Sequence, residues 1–235
     1  MDQITQAIKA VKDIQLLSVE MGADVNRTVV TFIGTPAAVK EAAFQGIKKA
    51  AEVIDMRKHR GAHPRMGATD VCPFVPVEGV TMEDCVQISK GVGQRVGEEL
   101  GIPVYLYELS AQHPDRQNLA NIRQGEYEGL EKKLKNLHWK PDFGPAKFNA
   151  RSGATVIGAR EFLIAFNITL NTREKQYAMD IAFELREKGR SVRRGDINDI
   201  YMRGLILPIC RELSMGVICC RTCCCADSRV LEEKI

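Results

Sequence analysis

Two histidines, three arginines, a lysine and an aspartate fall within residues 57–77, which read Arg-Lys-His-Arg-Gly-Ala-His-Pro-Arg-Met-Gly-Ala-Thr-Asp-Val-Cys-Pro-Phe-Val-Pro-Val. Imidazole is the side chain that titrates nearest neutrality, so a histidine held still among cations suits proton transfer. Pro64 fixes its own φ and pushes His63 out of helical geometry. Gly61 and Gly67 bracket the histidine and permit backbone paths closed to other residues. Arg65, Arg60 and Lys58, where they point at the ring, hold it neutral and able to accept a proton. His63 is therefore the candidate catalytic group. His59 ends a helix and reads as structural, and Asp70 is a candidate for supporting the site from behind.

The remaining composition sets bounds. With 235 residues, 27% charged and 45% hydrophobic, the chain is an ordinary globular protein of one substantial domain or two small ones. A net charge of +3 is too slight to argue for nucleic acid, but suits a small anionic substrate. The start, Met1-Asp2-Gln3-Ile4, lacks the basic and apolar parts of a signal peptide, and no apolar stretch reaches bilayer-spanning length. The expected setting is cytoplasmic, without a membrane partner. Cys72 and Cys85 read as buried small hydrophobes. Six further cysteines crowd the end, at 210, 219, 220, 223, 224 and 225. Cys220 and Cys223 have the two-residue gap of zinc ligands, yet no second pair or histidine follows, so no metal is expected. Gly91-Val92-Gly93 falls inside a helix and is no nucleotide loop.

These residues need elements to position them. Ile4, Ala7, Ile8 and Val11 predict a helix over 2–12, and Ile14–Val19 and Arg27–Ile33 predict strands around a turn at 21–26. Thr35-Pro36 opens a helix running to about Lys58. A strand over 71–77 carries Pro73 and Pro76, which predicts an edge or an irregular segment. Thr81 with Glu83 and Asp84 opens a second long helix closing near Gly101, and Pro103–Leu109 is the next strand. One or two short helices over 115–136 and a long loop follow, then a strand over 161–170 and a helix over 175–188. This order describes an α+β sandwich with helices on one face of a mainly antiparallel sheet.

The wording also resembles a family. His63-Pro64-Arg65-Met66-Gly67 with Asp70-Val71-Cys72-Pro73-Phe74 is similar to the signature of the glutamate formiminotransferase domain, found alone or at the front of formiminotransferase-cyclodeaminase. Asn26-Arg27-Thr28-Val29, Thr31–Gly34, Pro103–Tyr107, Pro141–Pro145 and Gly153-Ala154-Thr155 with Gly158-Ala159-Arg160 match in the same order, from about Leu16 to Asn167. The resemblance implies a ferredoxin-like subdomain over 1–168 and a partial second subdomain over 169–235 ending in the cysteine-rich tail. It implies transfer of a formimino group from N-formimino-L-glutamate to N5 of tetrahydrofolate as co-substrate, in histidine breakdown and one-carbon metabolism, by a homodimer.

The family's catalytic histidine falls on His63. Two substrate carboxylates call for bidentate arginine, and Arg27 and Arg65 are the candidates, with solvated surface positions as the plain alternative. Asn26 is a candidate for hydrogen-bonding folate, or for capping its turn. Glu20 stands where the family has an acidic residue, commonly aspartate, to orient His63 or accept from the pterin. Folate binding is implied for Gly153, Ala154, Thr155, Val156, Ile157, Gly158, Ala159, Arg160, Glu161 and Phe162. Their small residues would let the backbone approach a flat pterin. The runner-up reading is a truncated, inactive folate-binding or dimerisation protein, and a zinc-carrying module made by the tail is a distant third.

Overall fold

The computed structural model describes residues 1–163, together with 171, 174, 176, 177, 180, 181, 190–193, 200–203 and 218–224. Two units emerge from the backbone contacts, one formed by Met1–Phe162 with Met215–Ile235, the other by Leu163–Ser214.

The first unit opens with helix α1 (Asp2–Lys9) and the hairpin β1 (Ile14–Gly22) and β2 (Arg27–Gly34), closed by a 3-10 turn at Ala23–Val25. Helix α2 (Pro36–Val53) starts where proline and the Thr35 hydroxyl predict, with Ala38 N–H donating to that hydroxyl at 3.4 Å. It stops at Val53 rather than Lys58, because the chain turns to bury Met56 beside Ala68 and Tyr127. Arg57 also folds back onto Asp55, its Nε donating at 2.8 Å.

Strand β3 (Thr69–Val75) leads to helix α3 (Met82–Leu100), whose N-terminus is held by reciprocal bonds between Thr81 and Asp84. Gly101 ends that helix at a φ of +62°. Strand β4 (Val104–Glu108), short helices α4 (Leu119–Arg123) and α5 (Glu126–Leu134), and strand β5 (Thr155–Ala159) follow. Arg190–Arg193 (β6) and Ile200–Arg203 (β7) pair antiparallel in the second unit. Strand β8 (Ile218–Cys224) belongs to the first.

The main sheet has the order β1-β2-β8-β3-β5-β4. The α+β class expected from the sequence is present, but only part of the sheet is antiparallel: β3, β5 and β4 run parallel. Helices α1, α2 and α3 pack over one face on Val30, Phe32, Phe74, Leu106 and Ile157. The opposite face of the parallel part carries a second core of Val71, Tyr105, Tyr107 and Val156 under Ile122 and Leu130 of α4 and α5. Parallel strands need cover on both faces, which is why all seven residues of β3 are buried.

Strand β3, expected as an edge or an irregular segment, is interior, and its register with β8 shifts between Thr69 and Val71. Pro73 pairs with Gly158 of β5, and neither it nor Cys72 is a partner in the β8 register. Of the strand expected over 161–170 only residues 161–163 are described, and they are not in a strand; Thr155–Ala159, within the glycine-containing segment, forms β5. Residues 164–170, most of the 175–188 helix and the apolar run 205–209 lie outside the described residues; Gln176, Tyr177, Asp180 and Ile181 are helical.

The C-terminal cysteines were expected to end a second subdomain, whereas Cys219, Cys220, Cys223 and Cys224 stand in the first unit's sheet, in register between Ile33, Phe32, Val29 and Thr28 of β2 and their counterparts on β3. Cys72 and Cys85 are buried, and burial pushes the Cys85 thiol up to about 11.

Candidate active site

The turn over 63–68 is held from three sides. The Met66 N–H donates to Oδ1 of Asp70 at 2.8 Å, and the Tyr127 N–H at the start of α5 donates to the Arg65 carbonyl at 2.8 Å. On the third side Ala68 N–H donates to the Ser152 carbonyl at 2.9 Å and Ala154 N–H to that of Met66 at 3.1 Å. Gly67 and Gly153 form an isolated antiparallel bridge there. Gly153 sits at a φ of +69°, and a Cβ on either glycine would run into facing backbone carbonyls. A proline-stiffened loop is thus clamped onto the sheet rather than left as a mobile surface turn.

A second clamp joins this loop to the β1–β2 turn. Asn26 adopts left-handed geometry, with φ 50° and ψ 52°, and its Nδ2 donates to the Arg60 carbonyl at 2.6 Å. His59 is buried; its Nε2 lies 3.1 Å from the Asn26 carbonyl, and Nε of Arg65 donates to its Nδ1 at 3.2 Å. Since Nδ1 is the acceptor, Nε2 carries the hydrogen and donates to that carbonyl. This is the structural role read from the sequence. Gly61 fits against Val25, whose carbonyl would be 2.6 Å from any Cβ placed there.

These clamps bring His63 and Arg27 together. Nη1 of Arg27 donates to Nε2 of His63 at 3.0 Å. The ring is half-buried, and it is lowered to about 4, first by desolvation and then by the charges of Arg27 and Arg123. The cations that do this are not the sequence neighbours Arg65, Arg60 and Lys58. Arg60 turns to the His59 carbonyl at 2.8 Å, and Arg65 is buried, with Nη1 3.0 Å from Glu126 and Nη2 2.6 Å from Glu128. Arg65 bonds carboxylates of the chain itself, and the bidentate geometry suited to a ligand is spent on Glu128.

Asp70 is fully buried and pairs with Arg123 at the end of α4, so one carboxylate holds both the Met66 amide and a guanidinium that bears on His63. Burial raises Asp70, against the pull of Arg123. Arg123, Glu126 and Glu128 were not singled out from the sequence. They lie some sixty residues from their partners, and only a buried arginine's need for carboxylates hints that such residues exist. Glu20 is exposed on β1, opposite Val29, and accepts from the Ser18 hydroxyl at 3.2 Å.

Of the 153–162 segment, Gly153 and Ala154 touch the Met66-Gly67 turn, while Thr155–Ala159 are buried in the sheet between β3 and β4. Arg160, Glu161 and Phe162 emerge at its end, with Phe162 exposed. Among the described residues, four buried polar atoms lack a partner: Nε of Arg27 and of Arg123, and the hydroxyls of Thr28 and Thr69. They belong to residues at the ends of β2, β3 and α4, and the charges of Arg27 and Arg123 bear on His63. Groups left unsatisfied in a folded interior mark where a polar ligand would be received. Among the described residues no group of three metal-ligating side chains occurs, and no helix is long and apolar enough to cross a membrane.

The model of the formiminotransferase domain, N-terminal subdomain, matches residues 1–160. Over 189 residues the chain is 56% identical to the formimidoyltransferase-cyclodeaminase of Rattus norvegicus, covering 80% of this chain and 35% of that protein. It is 50% identical to the glutamate formimidoyltransferase of Thermoplasma acidophilum, covering 80% of this chain and 62% of that one. The corresponding enzyme of Streptococcus pyogenes serotype M1 is 47% identical, with 80% and 63% covered. The chain thus spans less than two thirds of the length of these relatives.

Proposed function

We propose that this chain, which belongs to the formiminotransferase family through its N-terminal subdomain, transfers a formimino group from N-formimino-L-glutamate to N5 of tetrahydrofolate, releasing L-glutamate. The observation that carries the reading is the His63–Arg27 contact. A neutral imidazole, immobilised by proline, glycine and a buried carboxylate, stands beside a cation with an unsatisfied donor.

The chemistry fits those groups. The attacking amine must lose a proton as its nitrogen bonds the amidine carbon, and the departing glutamate nitrogen must gain one as its bond to that carbon breaks. His63 serves both needs in turn. Nε2 takes the proton, the ring becomes cationic, and the same proton goes to the leaving nitrogen. Arg27 is assigned to a substrate carboxylate. Arg65 is assigned to the support of that arrangement through His59 and the start of α5, and Asn26 joins it in holding the turn. Glu20 is assigned to the folate side of the site. For the 153–162 segment, pterin contact is assigned to its two ends, since its middle is committed to the sheet. A homodimer in the cytoplasm completes the reading; β1, at the edge of the sheet, carries exposed Leu17, Val19 and Met21 that would suit self-association.

An assay of the full chain with formiminoglutamate and tetrahydrofolate tests this, with formation of 5-formiminotetrahydrofolate and glutamate as the expected result. A second reading, a folate-binding protein without turnover, is favoured by Arg65 being committed to Glu126 and Glu128 rather than open to a substrate carboxylate. Tetrahydrofolate binding with no product in the same assay would select it.

A further inference from the structure

His63 is not free to act in the geometry described. A guanidinium has donors and no acceptor, so the Arg27 contact makes Nε2 of His63 the lone-pair nitrogen of a neutral ring. The hydrogen is therefore on Nδ1, and the lone pair that would take the substrate's proton points at Arg27. A second observation concerns the same arginine. Its Nε is buried without a hydrogen-bond partner, and among the described residues no carboxylate forms an ion pair with it. Arg65 and Arg123, in contrast, are both paired, with Glu126, Glu128 and Asp70.

Building on the transferase reading, we propose that Arg27 is a substrate-operated cap. Without ligand it covers the Nε2 lone pair of His63, and a substrate carboxylate draws its guanidinium away, anchoring the substrate and freeing the base in one movement. A carboxylate engages Nε and Nη2 of an arginine side-on; the Nε of Arg27 is buried where it stands, so such a pair requires the guanidinium to turn outward, which satisfies the orphaned Nε and lifts Nη1 off the imidazole. Arg123 cannot play this part, since Asp70 holds it. Three charged groups from separate elements bear on the ring: Arg27 from β2, Arg123 from α4 and Glu126 from α5. Only Arg27 both touches it and lacks a counter-ion among the described residues. The cap makes the carboxylate a condition of reactivity as well as of affinity, so a substrate without it would meet a blocked base.

The test is nitrogen NMR of the full chain labelled at histidine, with His63 assigned by loss of its signals in H63Q and L-glutamate as the probe. Glutamate should move the Nε2 signal of His63 and raise the pH at which the ring titrates. In R27Q the free protein should already show the raised midpoint, and glutamate should then leave the His63 signals in place. R27K keeps a charged donor without the planar fork; it should keep the low midpoint and lose most of the response. In turnover, R27Q should raise KM for formiminoglutamate about ten- to a hundredfold and move the pH profile upward. Failure of glutamate to shift His63, or an R27Q ring that titrates as in the unaltered chain, would overturn the cap. These spectra do not require turnover: a protein that responds as stated but makes no product keeps the cap and loses the transferase reading, and turnover with an unresponsive His63 does the reverse.

Discussion

Gly67 and Gly153 face each other across an antiparallel bridge that fastens the His63 turn to the segment leading into β5. They are 86 positions apart in the sequence (153 less 67), and each leaves room for nothing larger than hydrogen. The mobile-looking glycine segment and the stiff histidine turn are one structural unit, joined further by Met66, Ala68, Ser152 and Ala154.

The first prediction follows from that bridge. Gly153→Ala combines a left-handed backbone, about 1–3 kcal/mol for a residue with a Cβ, with a clash against the Met66 carbonyl. The loss should exceed that of Gly129→Ala on α5, where a Cβ meets nothing and helix propensity favours alanine. Thermal unfolding of the two variants checks the order; equal midpoints would show that the bridge is not tight.

Asp70→Ala would leave the half-buried Arg123 without its counter-ion and the Met66 amide without an acceptor. Breaking a buried pair on one side costs about 3–5 kcal/mol, so the variant should be strongly destabilised in urea titration. Removing both charges in Asp70→Asn with Arg123→Gln should recover part of that loss. If the single and double variants are equally unstable, the pair does not hold the turn.

The titration of His63 has a definite sign. Its folded value, about 4, lies below the ordinary 6.5, so between these pH values the unfolded chain binds more protons. The neutral ring's contribution to stability is therefore present above about pH 6.5 and lost as the pH falls toward 4. His63→Gln should flatten the stability–pH curve in that window while leaving it parallel to the unaltered chain above pH 7. Urea midpoints at pH 4.5, 5.5 and 7.5 would show it.

Strand β8 carries the fourth prediction. It pairs with both β2 and β3, so a proline within it cannot complete both ladders. Cys223→Pro should cost about 3 kcal/mol or more and expose the ends of β2 and β3 that bear Arg27 and Asp70. Deuterium exchange of the Val29–Phe32 amides should rise sharply. Unchanged protection would mean that these residues do not depend on β8.

Much of this was legible in the sequence because local chemistry decided it. Thr35-Pro36, Thr81 with Asp84, and Gly101 marked helix ends through caps and a left-handed turn, and the Arg27–Ile33 run was a strand by composition alone. The segment around His63 announced its stiffness in proline and glycine. What stayed hidden depended on distant partners. Arg65 read as a free clamp because nothing near it in the chain reveals Glu126 and Glu128, and Arg123 had no local mark at all. Pro73 and Pro76 left an edge or an irregular segment open, and only the pairing with β8 and β5 shows that the strand is interior. Thr155–Ala159 read as part of a glycine-containing binding segment, and its place as a strand shows only in its pairing with β3 and β4. The terminal cysteines resembled ligands by type, and their place in the sheet followed from pairing that no spacing rule anticipates.

The central claim is that His63 carries the proton between the two amines, and its replacement by alanine tests this most directly. With formiminoglutamate and tetrahydrofolate as substrates, His63→Ala should lower turnover by about 10²- to 10⁴-fold while tetrahydrofolate binding, measured by calorimetry, stays within about threefold of the unaltered chain. Turnover retained at the unaltered rate would contradict the account.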